Sequence, residues 1–246
     1  MSVFDRINRA AAKRLPLKWV RARLDAPIAS FSFDDFPRSA WSAGGPILAR
    51  RGALATYYAA GDFCGRTVDG IDYFDAADLV AIRDAGHEIG CHSFSHEHGP
   101  ALESHVLRDN LERNAAFLAD CLGDHRTASF AYPYGDISPR TKVLAGRHFP
   151  VGRGIRAGVN QGLIDLAELK AVPLELRSWS AAEVERWVGE AAANKGWIVF
   201  FSHDVSETPT PYGCTPAMLE HALGCVEAAG VEILTVKSGL ARAVFA

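Results

Sequence analysis

The sequence predicts an α/β fold, a single (β/α) barrel that is irregular or incompletely closed. Seven or eight short β-prone segments alternate with helical patterns along the 246 residues, with no internal repeat and no linker. Four of those segments are hydrophobic and finish in reactive groups. Ala29–Phe33 runs into Asp34 and Asp35, and His87–Cys91 into His92 and His96. Ser129–Ala131 runs into Tyr132-Pro133-Tyr134-Gly135, and Trp197–Ser202 into His203 and Asp204. Parallel strands bring their carboxyl ends to one face, which is where α/β folds keep their chemistry.

In chain order, Met1–Asp25 is a basic leader in which Phe4, Ile7, Ala11 and Leu15 fall at helical spacing, so Ser2–Arg14 is expected to form an amphipathic helix with a cationic face. Ile28–Phe33 is the first strand, Phe36–Trp41 a loop, Pro46–Arg51 a short helix and Ala53–Tyr58 the second strand. After a loop over Gly61–Gly70, helical periodicity covers Asp72–Ala85, with Gly86 placed to end it. His87–His92 is the third strand. Ala101–Leu122 carries the longest helical pattern, with Leu102, Val106, Leu111, Ala115 and Leu118 as its apolar side. Ser129–Tyr132 is a strand, and Ser138-Pro139 opens a helix as an N-cap followed by a first-turn proline does. His148–Val151 and Ala171–Leu174 are short strands on either side of a glycine-rich loop. Ser180 with Glu183 reads as a capping box opening a helix to Ala193. Trp197–Ser202 is a strand, Thr215–Ala229 a helix and Val231–Thr235 the last strand.

Composition narrows the class. With 48% hydrophobic and 22% charged residues the chain reads as a globular protein able to bury a core, and no apolar run reaches the roughly 18 residues needed to span a bilayer. A formal net charge of −3 gives no reason to expect a nucleic-acid partner. Cys64, Cys91, Cys121, Cys214 and Cys225 are scattered and odd in number, the pattern of reduced residues rather than a disulfide framework. Absence of a secretory signal in the leader points to the cytoplasm. The leader's charges are expected to be solvated on a helix packed across the domain. The other reading is contact with an anionic membrane surface.

Two neighbouring acids at the end of a buried strand repel each other and need a cation, a proton or solvent, although Asp34-Asp35-Phe36-Pro37 alone also reads as a turn. The sites together are more telling. Phe33-Asp34-Asp35, His92-Ser93-Phe94-Ser95-His96, Tyr132-Pro133-Tyr134-Gly135 and Ser202-His203-Asp204 resemble, in order and approximate spacing, the motifs of the polysaccharide deacetylases, the NodB-homology or family 4 carbohydrate esterase domain. The resemblance covers about residues 28–235. It implies a deformed (β/α)7-type barrel, with residues 26–246 as one catalytic domain, and metal-dependent removal of acetyl groups from an acetylated carbohydrate.

By that resemblance Asp35, His92 and His96 hold a divalent metal, zinc first, with cobalt, nickel or manganese as alternatives. Asp34 is then the general base and His203 the acid that protonates the leaving amine. The residue types suit these roles. Two imidazoles and a carboxylate leave positions on the ion open for water and substrate, and an imidazole is poised near neutral pH. The Tyr132, Pro133, Tyr134 and Gly135 stretch would supply oxyanion and substrate contacts, the Tyr134 backbone N–H foremost. His98 is a lesser candidate ligand.

The chain also departs from the family pattern. The third-motif arginine that steadies the catalytic aspartate is Ala131 here, so Arg177 becomes the candidate for orienting Asp34. The glycine that usually follows the two aspartates is Phe36, expected to narrow or reshape the mouth. No Asp-x-x-Asp-Trp motif is present, although Trp179 and Trp187 lie in the right region. These departures keep two rivals open, a hydrolase of a small non-sugar amide and a non-catalytic metal- and carbohydrate-binding relative. Gly152-x-Gly154-x-x-Ala157 imitates a dinucleotide fingerprint, but Gly158, Asn160 and Gly162 break the helix that should follow.

Overall fold

A computed structural model describes residues 17–123 and 125–245. The expected leader helix over Ser2–Arg14 lies outside the described residues. The strands are β1 (Trp19–Arg21), β2 (Ile28–Phe33), β3 (Ala55–Ala59), β4 (Thr67–Val68), β5 (Ile71–Asp72), β6 (Glu88–Cys91), β7 (Ser129–Ala131), β8 (Val151–Arg153), β9 (Leu163–Asp165), β10 (Val172–Pro173), β11 (Trp197–Ser202) and β12 (Glu232–Ile233).

Eight of them form a curled parallel sheet, seven in the order β10-β11-β2-β3-β6-β7-β8 with β12 added on β2, a half-barrel with helices around it. The space between its edge strands is bridged by the segment after β9. There the Leu169 N–H donates to the Gly152 carbonyl at 2.7 Å and the Gly154 N–H to the Leu169 carbonyl at 3.0 Å. The deformed barrel expected from the motifs is the fold observed.

At the centre is β2, all six of whose residues are buried. Ile28–Phe33 pairs along its whole length with Trp197–Ser202 of β11. Its other edge is shared: β12 pairs with Ile28 and Ala29, and β3 with Phe31, Ser32 and Phe33. Burial on both faces explains why these strands read as unbroken apolar runs. Phe31 stacks on Phe200 at 5.2 Å and Phe33 on Tyr57 at 5.2 Å, which fixes the neighbouring strands face to face below the acid pair.

Four of the helices flanking the sheet begin at recognisable caps. Asp75 accepts the Ala77 and Asp78 N–H groups ahead of Ala76–Asp84, and Ser138 and Thr215 cap Pro139–His148 and Pro216–Ala228. Ser180 caps Ala181–Ala193 by accepting from the Glu183 N–H, while the reciprocal half of the expected box is not formed.

Three expectations change. The Phe36–Trp41 loop contains a helical turn, Arg38–Ser42, which leads almost directly into Gly44–Arg50. The long helix spans Ser104–Leu122 and buries Leu107, Leu111, Asn114, Leu118 and Leu122, so Leu111 and Leu118 face inward as expected while Val106 is left exposed. Val236–Phe245 continues as a final helix after β12.

Within the predicted leader, β1 pairs with β9 in register Trp19↔Asp165, and the Lys18 Nζ donates to the Phe149 carbonyl at 2.6 Å. Residues 17–21 are therefore docked on the barrel. No helix among the described residues is long and apolar enough to cross a membrane.

Candidate functional site

The carboxyl ends of β2, β6, β7, β8, β10 and β11 open into a cleft of about 630 Å³. Asp34 and Asp35 follow β2 directly. The Asp34 N–H donates to the Ser202 carbonyl at 2.8 Å, continuing the ladder by one residue, and the Phe36 N–H then turns back to the Asp34 carbonyl. This tight turn holds Asp35 and Phe36 at φ 55° and 58°.

Of the seven non-glycine residues at positive φ among those described, five are Asp35, Phe36, Ser93, His96 and Tyr134. Such conformations cost roughly 1–3 kcal/mol each and persist only where surrounding packing imposes them, so their concentration at one mouth marks the site independently of any motif.

Asp35 meets two imidazoles. Its Oδ1 lies 3.1 Å from His92 Nε2 and 2.9 Å from His96 Nε2. That oxygen is buried and has no hydrogen bond of acceptable geometry. Three donor atoms converging without satisfying one another are what a bound cation requires, since ligands about 2.1 Å from one ion sit roughly 3 Å apart when at right angles.

The His92 ring is fixed from behind, its Nδ1–H donating to the Ala131 carbonyl at 2.8 Å, which leaves Nε2 facing Asp35. His96 sits on a loop tied by Asn110 of the long helix, whose Oδ1 accepts the Phe94 N–H at 2.6 Å and the Ser95 N–H at 3.1 Å. Burial works against charge at Asp35, but the close imidazoles of His92 and His96 outweigh it and hold the carboxyl well below its usual range. Burial lowers His96. For His92 the same burial is outweighed by Asp35 and Asp34, and the ring is pushed up. These residues can hold a divalent ion.

Asp34 is buried beside this cluster, and its partner is not the expected one. Arg177, the predicted orienting residue, instead donates through Nε to Glu175 at 2.7 Å and stacks over the Tyr212 ring at 4.2 Å. The guanidinium on Asp34 Oδ1 belongs to Arg153, at the end of β8 and fully buried. Arg177 follows the edge strand β10 and stays at the rim, whereas Arg153 points inward between the Phe201 and Tyr58 rings, 4.9 and 5.3 Å from their centroids. The glycines flanking Arg153 are the signal that the sequence carries for it. A Cβ on Gly152 would stand 2.7 Å from the Ala167 carbonyl oxygen, and one on Gly154 3.0 Å from the Glu168 side chain. Gly152-Arg153-Gly154 is a strand end under close backbone approach, not a dinucleotide turn.

His203 enters from β11, its Nε2 3.9 Å from Asp35 Oδ2. Its Nδ1–H donates to the Tyr212 carbonyl at 3.1 Å and lies 4.0 Å from Glu175 Oε1. Burial pushes the Glu175 carboxyl up, against the lowering effect of Arg177. The loop carrying Tyr212 is a packed turn: Asp204 accepts the Thr210 N–H at 2.9 Å, and the Cys214 N–H donates to the Asp204 carbonyl at 2.9 Å.

The third-motif residues divide. Tyr134 and Gly135 line the cleft, with the Tyr134 ring exposed and stacked on His98 at 4.0 Å. Tyr132 is buried and donates its hydroxyl to the Ala167 carbonyl at 2.9 Å, so it is core rather than cleft wall, and Pro133 is likewise buried. His98 is 3.0 Å from Asp136 and stands apart from the Asp35 cluster. Phe36 corrects a further expectation. Its ring is fully buried against Phe74 at 4.5 Å and Tyr57 at 5.1 Å, so it fills the core and does not reshape the mouth. Ile71 of β5 and Tyr73 just after it add cleft wall that no motif in the sequence marks.

The family model described as polysaccharide deacetylase matches residues 21–148. No curated protein matches the chain. Among solved structures, the family 4 carbohydrate esterase domain of a multidomain xylanase from the hindgut metagenome of Trinervitermes trinervoides superposes with a TM-score of 0.61 at 19% identity, over 88% of this chain and 90% of that one. A family 4 acetyl xylan esterase from Clostridium thermocellum, in complex with a cobalt ion, gives 0.59 at 22% identity over 86% and 89%. A family 4 pseudoenzyme from Bacillus anthracis gives 0.61 at 15% identity over 93% and 70%.

Proposed function

Because the chain belongs to the polysaccharide deacetylase family, we propose that it is a metal-dependent hydrolase that removes the acetyl group from an N-acetylated sugar unit of a glycan. The observation that carries this reading is the convergence of Asp35, His92 and His96 beside an Arg153-held Asp34, with His203 across the same cleft.

An amide is a poor electrophile with a poor leaving group. Its hydrolysis needs an activated water, a stabilised oxyanion and a proton for the departing nitrogen. A divalent ion held by Asp35, His92 and His96, zinc in the first instance, supplies Lewis acidity toward the acetyl carbonyl and makes water more acidic. Asp34, held by the Arg153 guanidinium, accepts the water proton. His203, anchored through Nδ1 on the Tyr212 carbonyl, presents Nε2 to the leaving amine as proton donor. The backbone at Tyr134 borders the position of the developing oxyanion, and the exposed rings of Tyr134 and Tyr212 offer flat faces for a sugar.

Two departures from the family pattern, at Ala131 and Phe36, keep a non-catalytic relative open when the sequence is taken alone. Arg153 stands in for the arginine absent at Ala131, and the Phe36 ring lies in the core, so neither leaves the site without a part. The test is release of acetate from N-acetylglucosamine oligomers alongside metal content. Metal-dependent acetate release abolished by Asp34→Asn supports the proposal. A metal-loaded wild type that releases no acetate from any acetylated glycan overturns it.

A further inference from the structure

We propose that Glu185, His221 and Cys225 form a second divalent-cation site, separate from the Asp35 cluster, that takes zinc or another borderline-soft ion and clasps two helices together. His221 Nε2 lies 3.4 Å from Cys225 Sγ and 3.5 Å from Glu185 Oε1, and the three donor atoms all fall within 4.8 Å of one another. Tetrahedral zinc, with bonds of about 2.0 Å to nitrogen and oxygen and 2.3 Å to sulfur, places neighbouring donors roughly 3.3–3.5 Å apart. The two shorter separations are therefore already edges of a zinc tetrahedron.

The scaffold is rigid. His221 and Cys225 stand one turn apart on Pro216–Ala228, so both project from one face, and Glu185 comes from the adjacent Ala181–Ala193. Thiolate with imidazole selects zinc-like ions over the oxygen-preferring magnesium or calcium. A reactive thiol is the competing account, and the surroundings oppose it. Cys225 is half-buried and sits near the Glu185 carboxylate, with no cationic side chain in the cluster to favour a free thiolate. On binding, the S–H proton leaves to solvent as the sulfur–metal bond forms, and the coordination positions not filled by the three side chains are left to water.

A cation here acts near the cleft as well as on the helices. The Trp179 ring meets His221 edge-on at 5.7 Å and 85°, and Trp179 closes the short turn Leu176–Ser178 that carries Arg177 to the rim. Fixing His221 would thus brace the rim from its outer side.

The test is cobalt(II) titration of the full chain carrying His92→Ala, which disables the first cluster. The expected result is a sulfur-to-cobalt charge-transfer absorption that saturates at one ion per chain and is bleached by zinc. Adding Cys225→Ser should remove the band, which separates it from any contribution of Cys91. Adding Glu185→Gln should keep the band and weaken cobalt binding by roughly tenfold or more. Zinc should also raise the Tm of the His92→Ala chain but not that of His92→Ala/Cys225→Ser. No band in the His92→Ala chain, or a band that survives Cys225→Ser, overturns the proposal. Because sulfur is the reporter and acetate is not measured, the outcome does not depend on the proposed deacetylase activity.

Discussion

Arg153 and Ala131 stand opposite each other in the parallel register of β8 and β7, and the Arg153 guanidinium reaches Asp34 from that neighbouring strand. A side chain on the next strand at the same level of the sheet serves the same point in space. The arginine position is thus displaced sideways by one strand.

Removing Arg153 is expected to leave a buried, unpaired carboxylate. Arg153→Met should cost about 3–5 kcal/mol in urea denaturation, and Asp34→Asn added to it should recover most of that loss by removing the stranded charge. A double variant no more stable than Arg153→Met would mean that the two side chains are not energetically coupled.

Asp34→Asn should lower acetate release about 10²–10⁴-fold while metal content stays at the wild-type level. His92→Ala should lose the ion from the first cluster as well as activity. Paired metal analysis and acetate assays on the two variants check both statements.

At Phe36, backbone strain and ring packing oppose each other. Phe36→Gly relieves a left-handed strain of roughly 1–3 kcal/mol but empties a ring site whose loss ordinarily costs about 3–5 kcal/mol. Lost packing outweighs relieved strain, so the variant should be less stable, by about 1–3 kcal/mol, and still bind metal through Asp35. A Phe36→Gly variant more stable than wild type would show that the ring's packing contributes little.

Glu88 provides the pH test. It is buried between Thr56 and Ser129, whose hydroxyls donate to it at 2.9 and 2.6 Å, and it accepts the Lys237 N–H at 2.7 Å. Burial outweighs these bonds and pushes its carboxyl above the ordinary 4.5. The folded state then holds the proton more tightly than the unfolded one. The stabilisation is complete below the ordinary value and lost as pH rises through the folded value. Glu88→Gln carries no such loss, so denaturation at about pH 4 and pH 8 should show the stability difference moving in the variant's favour at the higher pH.

Gly213 tests the loop behind His203. A Cβ there would stand 2.6 Å from the Asp204 carbonyl oxygen, so Gly213→Ala must shift the turn that presents the Tyr212 carbonyl to His203 Nδ1. Misplacement of a catalytic group by about an ångström costs on the order of 10² in rate. Steady-state assays should show the loss mainly in kcat.

The barrel and the Asp35–His92–His96 cluster were legible because buried strands leave long apolar runs and because the three residues follow those runs within a few positions. What depended on pairing between distant strands was not. Arg153 lies 119 residues from Asp34, and only the β7–β8 register brings it level with Ala131. Helix faces were legible to within about one residue. Taking Val106 for Leu107 and Ala115 for Asn114 misplaces those two positions by one residue, about 100°, while Leu111 and Leu118 keep their side. The place of Phe36 was not legible because a side chain after a turn can point to core or to cleft, and the positive φ at Phe36 decides for the core.

Mechanically, β2 is a beam that carries the two acids at its free end. One side is gripped by β11 for its full length. The other is gripped near its base by β12, from almost the end of the chain, and near its tip by β3. A force applied to Asp34 or Asp35 by an incoming ligand is therefore passed into strands from both halves of the polypeptide, and the stiffness of the site belongs to the closed loop of chain beneath it.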